Sequence, residues 1–116
     1  MPSMSTSQKG LNLADLAADT SKTANTEWLA TDLTIDTGAT DMGIILQVVI
    51  GLSVENVAEV TFDSGSHWHI LNAGAVLVAG ALYSFDIPCV EGDLINFRST
   101  SATTDVDRLT CSLRGL

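Results

Sequence analysis

Basic residues are scarce in this chain. It has 5 Lys plus Arg against 14 Asp plus Glu, a formal net charge of −9 over 116 residues. Such a molecule repels phosphate backbones and anionic lipid surfaces, so neither nucleic acid nor membrane is expected as a partner. Charged residues of both signs reach only 16%, against ~25% in ordinary proteins, and Ser, Thr, Ala and Gly take their place. Cysteine is limited to Cys89 and Cys111. Two are too few for a disulfide scaffold and their spacing fits no metal motif, so a free buried pair is expected. The longest apolar stretch, residues 43–54, is interrupted by Gln47 and falls short of the ~20 residues a membrane helix needs. The polar stretch Met1–Gly10 has no apolar signal core, so synthesis in a cytoplasm is expected. A Gly-x-Ser-x-Gly elbow is missing, and neither Gly74 nor Gly80 is followed by the Lys and helix of a phosphate loop. No catalytic residue, cofactor or resident metal is therefore expected, and the chain is not read as an enzyme.

What is present is apolar material in a β pattern. Hydrophobic residues make up 46% of the chain, enough for the core of one domain. Residues 1–27 contain no aromatic, Val or Ile and read as an extended N-terminal arm. Within it, Asn12 can cap a short helix over 12–19 that sets Leu13, Leu16 and Ala17 on one face. Leu11, Leu13 and Leu16 are the arm's candidate docking residues. Residues 28–116 read as the β domain. Leu29, Thr31, Leu33 and Ile35 alternate with polar neighbours, as do Leu109, Cys111 and Leu113 near the end. Strands are also expected over 43–52, 57–63, 67–72, 81–88 and 94–100, with Pro88 marking a strand end. Turn signals recur about every 8–12 residues. Seven to eight short strands of this kind predict an antiparallel β-sandwich or jelly-roll-like domain. The strand around Ile44–Leu52 is nearly apolar on both faces. Its second face, Ile45, Gln47 and Val49, suits either a subunit contact or the middle of a sandwich.

Three constellations invite chemistry. In His67-Trp68-His69 both imidazoles would share one face of a strand, with Asp63 as a possible third ligand. A polar outer stripe with Trp68 packed inward explains the same residues more simply. Glu55, Glu59, Asp63, Glu91 and Asp93 offer carboxylates, but they flank turns, where acids serve geometry and solubility. Asp32, Asp36 and Asp41 lack the spacing of a calcium loop. Trp28, Trp68, Tyr83 and Phe85 would line a sugar platform if exposed and would otherwise anchor the core.

The stretch Val57-Ala58-Glu59-Val60-Thr61-Phe62-Asp63-Ser64-Gly65-Ser66-His67-Trp68, followed by Leu71-Asn72-Ala73-Gly74, resembles a hairpin of small virion proteins from tailed bacteriophages. So does Tyr83-Ser84-Phe85-Asp86-Ile87-Pro88 leading to Gly92-Asp93-Leu94-Ile95-Asn96-Phe97-Arg98. As a short acidic β domain behind a polar arm, the chain is similar to capsid decoration (cement) proteins. That resemblance covers roughly residues 28–116 and implies a homo-oligomer, a trimer before a dimer, on the outer surface of an assembled head. Its partner would be the major capsid protein, met by Leu11, Leu13 and Leu16, with Ile45, Gln47 and Val49 as oligomer-interface candidates. Its location would be the virion. The alternatives are another virion module (tail, fibre or baseplate) and a carbohydrate- or receptor-binding sandwich.

Overall fold

A computed structural model of the chain describes residues 12–35 and 44–115, with side chains within 21–35 and 45–113. Among the described residues there are eight strands: β1 Asn12–Lys22, β2 Leu33–Thr34, β3 Ile44–Leu52, β4 Ala58–Thr61, β5 His69–Ile70, β6 Leu82–Cys89, β7 Leu94–Ser99 and β8 Thr104–Gly115. They form two four-stranded sheets, ordered β1-β8-β3-β6 and β2-β7-β4-β5. Every pairing between named strands is antiparallel. This is the all-β sandwich the alternation implied. Among the described residues the helical content is one 3-10 turn, Asn72–Gly74.

The core follows from period-two patterning. In β3, Leu46, Val48, Ile50 and Leu52 are fully buried; in β8, Val106, Leu109, Cys111 and Leu113 are. The second sheet contributes Ala58, Val60, Ile95 and Phe97. Trp28 is buried as well and stacks on Phe97, with ring centroids 6.0 Å apart. Each large apolar side chain buried this way contributes about 1.5–3 kcal/mol of transfer free energy.

Three local expectations are corrected. Residues 12–19 form no helix: they belong to β1, which pairs with β8 from Asn12↔Ser112 to Lys22↔Thr104, with irregularities between Asn12 and Ala14 and between Ala17 and Thr20. A two-turn helix is marginal alone, whereas β8 supplies a ready ladder. Pro88 does not end its strand, which runs on to Cys89. β6 lies at the sheet's edge, where a missing N–H is tolerated. The strand expected over 29–36 shrinks to Leu33–Thr34, because the chain bulges away from β7 between Trp28 and Leu33. Pairing with β7 is made on both sides of the bulge, by Trp28 N–H donating to Phe97 O at 2.8 Å and by Leu33 opposite Ile95, with the register shifted between them.

Candidate functional site

The outer face of the second sheet carries most of the polar side chains that bond to one another. Asn96 lies on the outward side of β7, yet it is fully buried beneath the 27–32 bulge. Its Oδ1 accepts from Leu29 N–H at 3.0 Å, and its Nδ2 donates to Leu29 O at 3.0 Å and to Asp32 Oδ1 at 2.8 Å. One side-chain amide thus replaces the ladder bonds that the bulge gives up. Asp32 also accepts from the Ser64 hydroxyl, which ties the bulge to the β4–β5 turn.

That turn is built on Thr61 and Asp63. Thr61 Oγ1 donates to Asp63 Oδ1 at 2.8 Å and accepts from Gly65 N–H at 2.9 Å. His67 N–H reaches Asp63 Oδ1 at 2.9 Å, and the His67 ring bonds the other carboxylate oxygen. The His67 ring, the His67 N–H and the Thr61 hydroxyl hold the Asp63 carboxyl well below the usual carboxylate range. Gly65 has φ +92°, and a Cβ there would lie 2.9 Å from Glu27 Oε2 and 3.7 Å from the Trp68 ring. The left-handed backbone favours glycine here, and a Cβ would require the Glu27 carboxylate to shift.

The His67-Trp68-His69 segment departs from its expected strand. His67 precedes β5, and the two imidazoles take different partners: His67 bonds Asp63, while His69 lies 5.4 Å from the Phe62 ring. Trp68 does not pack inward. It is half-buried on the outer face with the Arg98 guanidinium 4.3 Å from its ring centroid, and Arg98 Nε bonds Glu59 Oε1 at 2.7 Å. Among the described residues, no three His, Cys, Asp or Glu side chains gather as a metal site.

The other candidates are dispersed. Glu59 and Asp63 are engaged by Arg98 and His67, and Asp93 caps Val90 N–H at 3.0 Å. Asp36 and Asp41 lie outside the described residues. No four-ring platform forms: Trp28 is buried, Trp68 is on the second sheet's outer face, and Tyr83 and Phe85 pack against the core from β6. Cys89 and Cys111 are free and buried. Burial, helped by Asp93, pushes the Cys89 thiol up to about 11, and burial pushes Cys111 up to about 12.

Of the expected contact residues, Leu11 lies outside the described residues. Leu13 and Leu16 are strand positions of β1, with Leu16 registering on Leu109 of β8. Ile45, Gln47 and Val49 share the outer face of β3, each half-buried, opposite Pro88, Asp86 and Ser84 of β6.

A surface that sequence reading missed lies at the end of the sandwich where β3 finishes and β4 and β6 begin. Val54, Ile70, Val76, Val78 and Leu82 are all exposed, Val78 at 50% and Leu82 at 65%. The segments bearing Val54, Val76, Val78 and Leu82 are joined by the Asn56–Leu77 bridge and by Gly80 N–H donating to Leu52 O at 2.9 Å. The bridge to Asn56 turns Leu77 inward and leaves Val76 and Val78 outside. Exposed apolar side chains on adjoining segments suit an interaction surface more than a catalytic one.

Compared with known protein families, curated proteins and solved structures, the chain matches none of them.

Proposed function

We propose that this protein is a non-catalytic structural component of a tailed-phage virion that binds the outer surface of the assembled head as a homo-oligomer and cements neighbouring coat subunits. The observation that carries the reading is the exposed apolar end: Val54, Val76 and Val78 on braced loops of a molecule with net charge −9. Exposed valines on ordered loops form a contact surface with little conformational entropy left to lose on binding. Repetition of that contact over many identical coat subunits multiplies a modest affinity through avidity. The surplus of acid elsewhere keeps the unbound protein soluble and discourages DNA. The hairpin resemblance over 57–74 and 83–98 supports the same reading.

The test is co-sedimentation of the full chain with purified empty heads of the phage that encodes it, followed by electron microscopy of the particles. Density on the outer shell supports the proposal. Density on a tail, fibre or baseplate would move the protein to another virion module. No association with any particle would overturn it.

A further inference from the structure

Two fully buried polar side chains, Asn56 and Thr104, stand at the end of the sandwich that carries the exposed valines. Thr104 Oγ1 accepts from Val54 N–H at 3.0 Å, and its own proton has Asp105 O at 3.0 Å and Val54 O at 3.4 Å as acceptors. Asn56 Oδ1 accepts from Ser101 N–H at 2.8 Å and Ala102 N–H at 3.3 Å, and Nδ2 donates to Ala102 O at 2.9 Å. The Asn56 backbone holds Leu77 from both sides: Leu77 N–H donates to Asn56 O at 2.7 Å, and Asn56 N–H to Leu77 O at 3.3 Å. A third side chain, Tyr83 of β6, accepts from Val78 N–H at 2.9 Å through its hydroxyl. Residues 53–57, 71–81 and 100–104 are thereby tied into one block.

These bonds fix segments whose side chains the core does not use. Val54, Val76 and Val78 are all exposed. A backbone N–H in an exposed loop can bond water instead, so pinning Val54 and Val78 adds little to the sandwich itself. What it sets is direction. Leu77, held by Asn56, takes the inward place, and the valines on either side are kept out. The turn before them, Asn72–Gly74, runs through three left-handed residues with φ +55°, +54° and +85°. Asn72 and Ala73 adopt that backbone at a cost glycine escapes, and such strain persists only where the surroundings impose it.

We infer that Thr104, Asn56 and Tyr83 are positioning residues for the contact surface, holding Val54, Val76 and Val78 outward in the one arrangement that meets the partner. This assignment rests on that end being the head-binding surface. Loops that are ordered beforehand lose little conformational entropy at the contact; loops set free must be ordered again when they bind. Loss of a pin therefore weakens binding while the sheets stay folded.

The experiment pairs amide hydrogen exchange of the free full-length protein with binding to purified empty heads. In the wild type the Val54 and Val78 amides should be protected. Thr104→Val keeps the side-chain shape and removes the hydroxyl; it should speed exchange at Val54 at least about tenfold. Tyr83→Phe should do the same at Val78. Neither should alter the amides that join β3 to β8. Each variant should raise the apparent Kd for heads about tenfold, or about 1.4 kcal/mol. Thr104→Ser keeps the hydroxyl and loses the methyl, so it should restore both readouts; a role in packing alone would make serine worse than valine. Amides that are unprotected in the wild type, or that the variants leave protected, overturn the inference. Variants that free the amides yet coat heads like the wild type overturn it too and leave the head-binding reading standing. A wild type that binds no head overturns that reading and this assignment together. If Thr104→Val fails to fold, Tyr83→Phe decides.

Discussion

Asn96→Ala tests whether one buried amide holds the second sheet's irregular edge. The substitution leaves Leu29 N–H, Leu29 O and Asp32 Oδ1 without the side-chain partner each now has within 3.0 Å. A net protein hydrogen bond is worth about 1 kcal/mol, and a buried group left unpaired costs ~1–3 kcal/mol. Leu29 is only half-buried, so water recovers part of the loss and the lower figure applies to each. The total is about 3 kcal/mol, which for a domain of this size lowers Tm by roughly 12 °C. Near-UV circular dichroism melts measure the midpoint, and urea unfolding with an unchanged m-value checks that the change is in stability. Asn96→Asp keeps the acceptor but replaces the amide donor with a carboxylate facing Asp32. It should be the worse variant at neutral pH and recover on acidification, because protonating the new carboxyl removes the repulsion. A fall in Tm below ~3 °C for Asn96→Ala would refute the bracing role.

Four further outcomes are expected. The Asp63 carboxyl should remain ionised at pH 3, seen in its NMR titration. Its folded pKa lies below the ordinary 3.8, so its stabilising contribution is present above that value and is lost as pH falls toward the folded pKa; Asp63→Asn should flatten this acid limb. Cys89 and Cys111 should resist a thiol reagent at pH 8 in the native state and react fully in guanidinium, because their thiols titrate near 11 and 12. Gly65→Ala should cost ~1–2 kcal/mol in urea unfolding, from a left-handed backbone and a Cβ pressed on Glu27. Val54→Asp with Val78→Asp should abolish head binding while leaving Tm nearly unchanged, since both side chains are exposed.

Much of the sandwich was legible because alternation reports burial directly. Leu109, Cys111 and Leu113 were read inward and are buried, as are Ile95 and Phe97. The outer face of the second sheet was not legible. Asn96 alternates as a solvent-facing residue, and only the return of residues 27–32 over β7 buries it. Trp68 was read inward because tryptophan prefers burial, but Arg98 and the turn at Gly65 offered its ring partners outside the core. Edge position was equally hidden. Pro88 argues for a strand end or a sheet edge with the same force, and strand order decides between them.

The N-terminal segment shows the same dependence on distant sequence, and it yields a decisive truncation. Leu13, Leu16 and Ala17 have helical spacing, yet Asn12–Lys22 is a strand. The cause lies in β8, which is 12 residues long, with β3 on one side. Left open, its other side would be the longest unpaired edge in the molecule, a template for aggregation. β1 closes it over nearly its whole length. Removing residues 1–11 leaves that ladder in place, so the truncated protein should melt near the intact one. Removing residues 1–22 uncovers β8 and should both lower Tm and drive concentration-dependent aggregation, followed by light scattering during a melt. If the longer truncation melts and stays dispersed like the shorter one, β1 is not what protects β8. Loss of head binding on removing 1–11 alone would then assign Leu11 and its neighbours to the coat contact; binding retained by that variant would take the contact away from them.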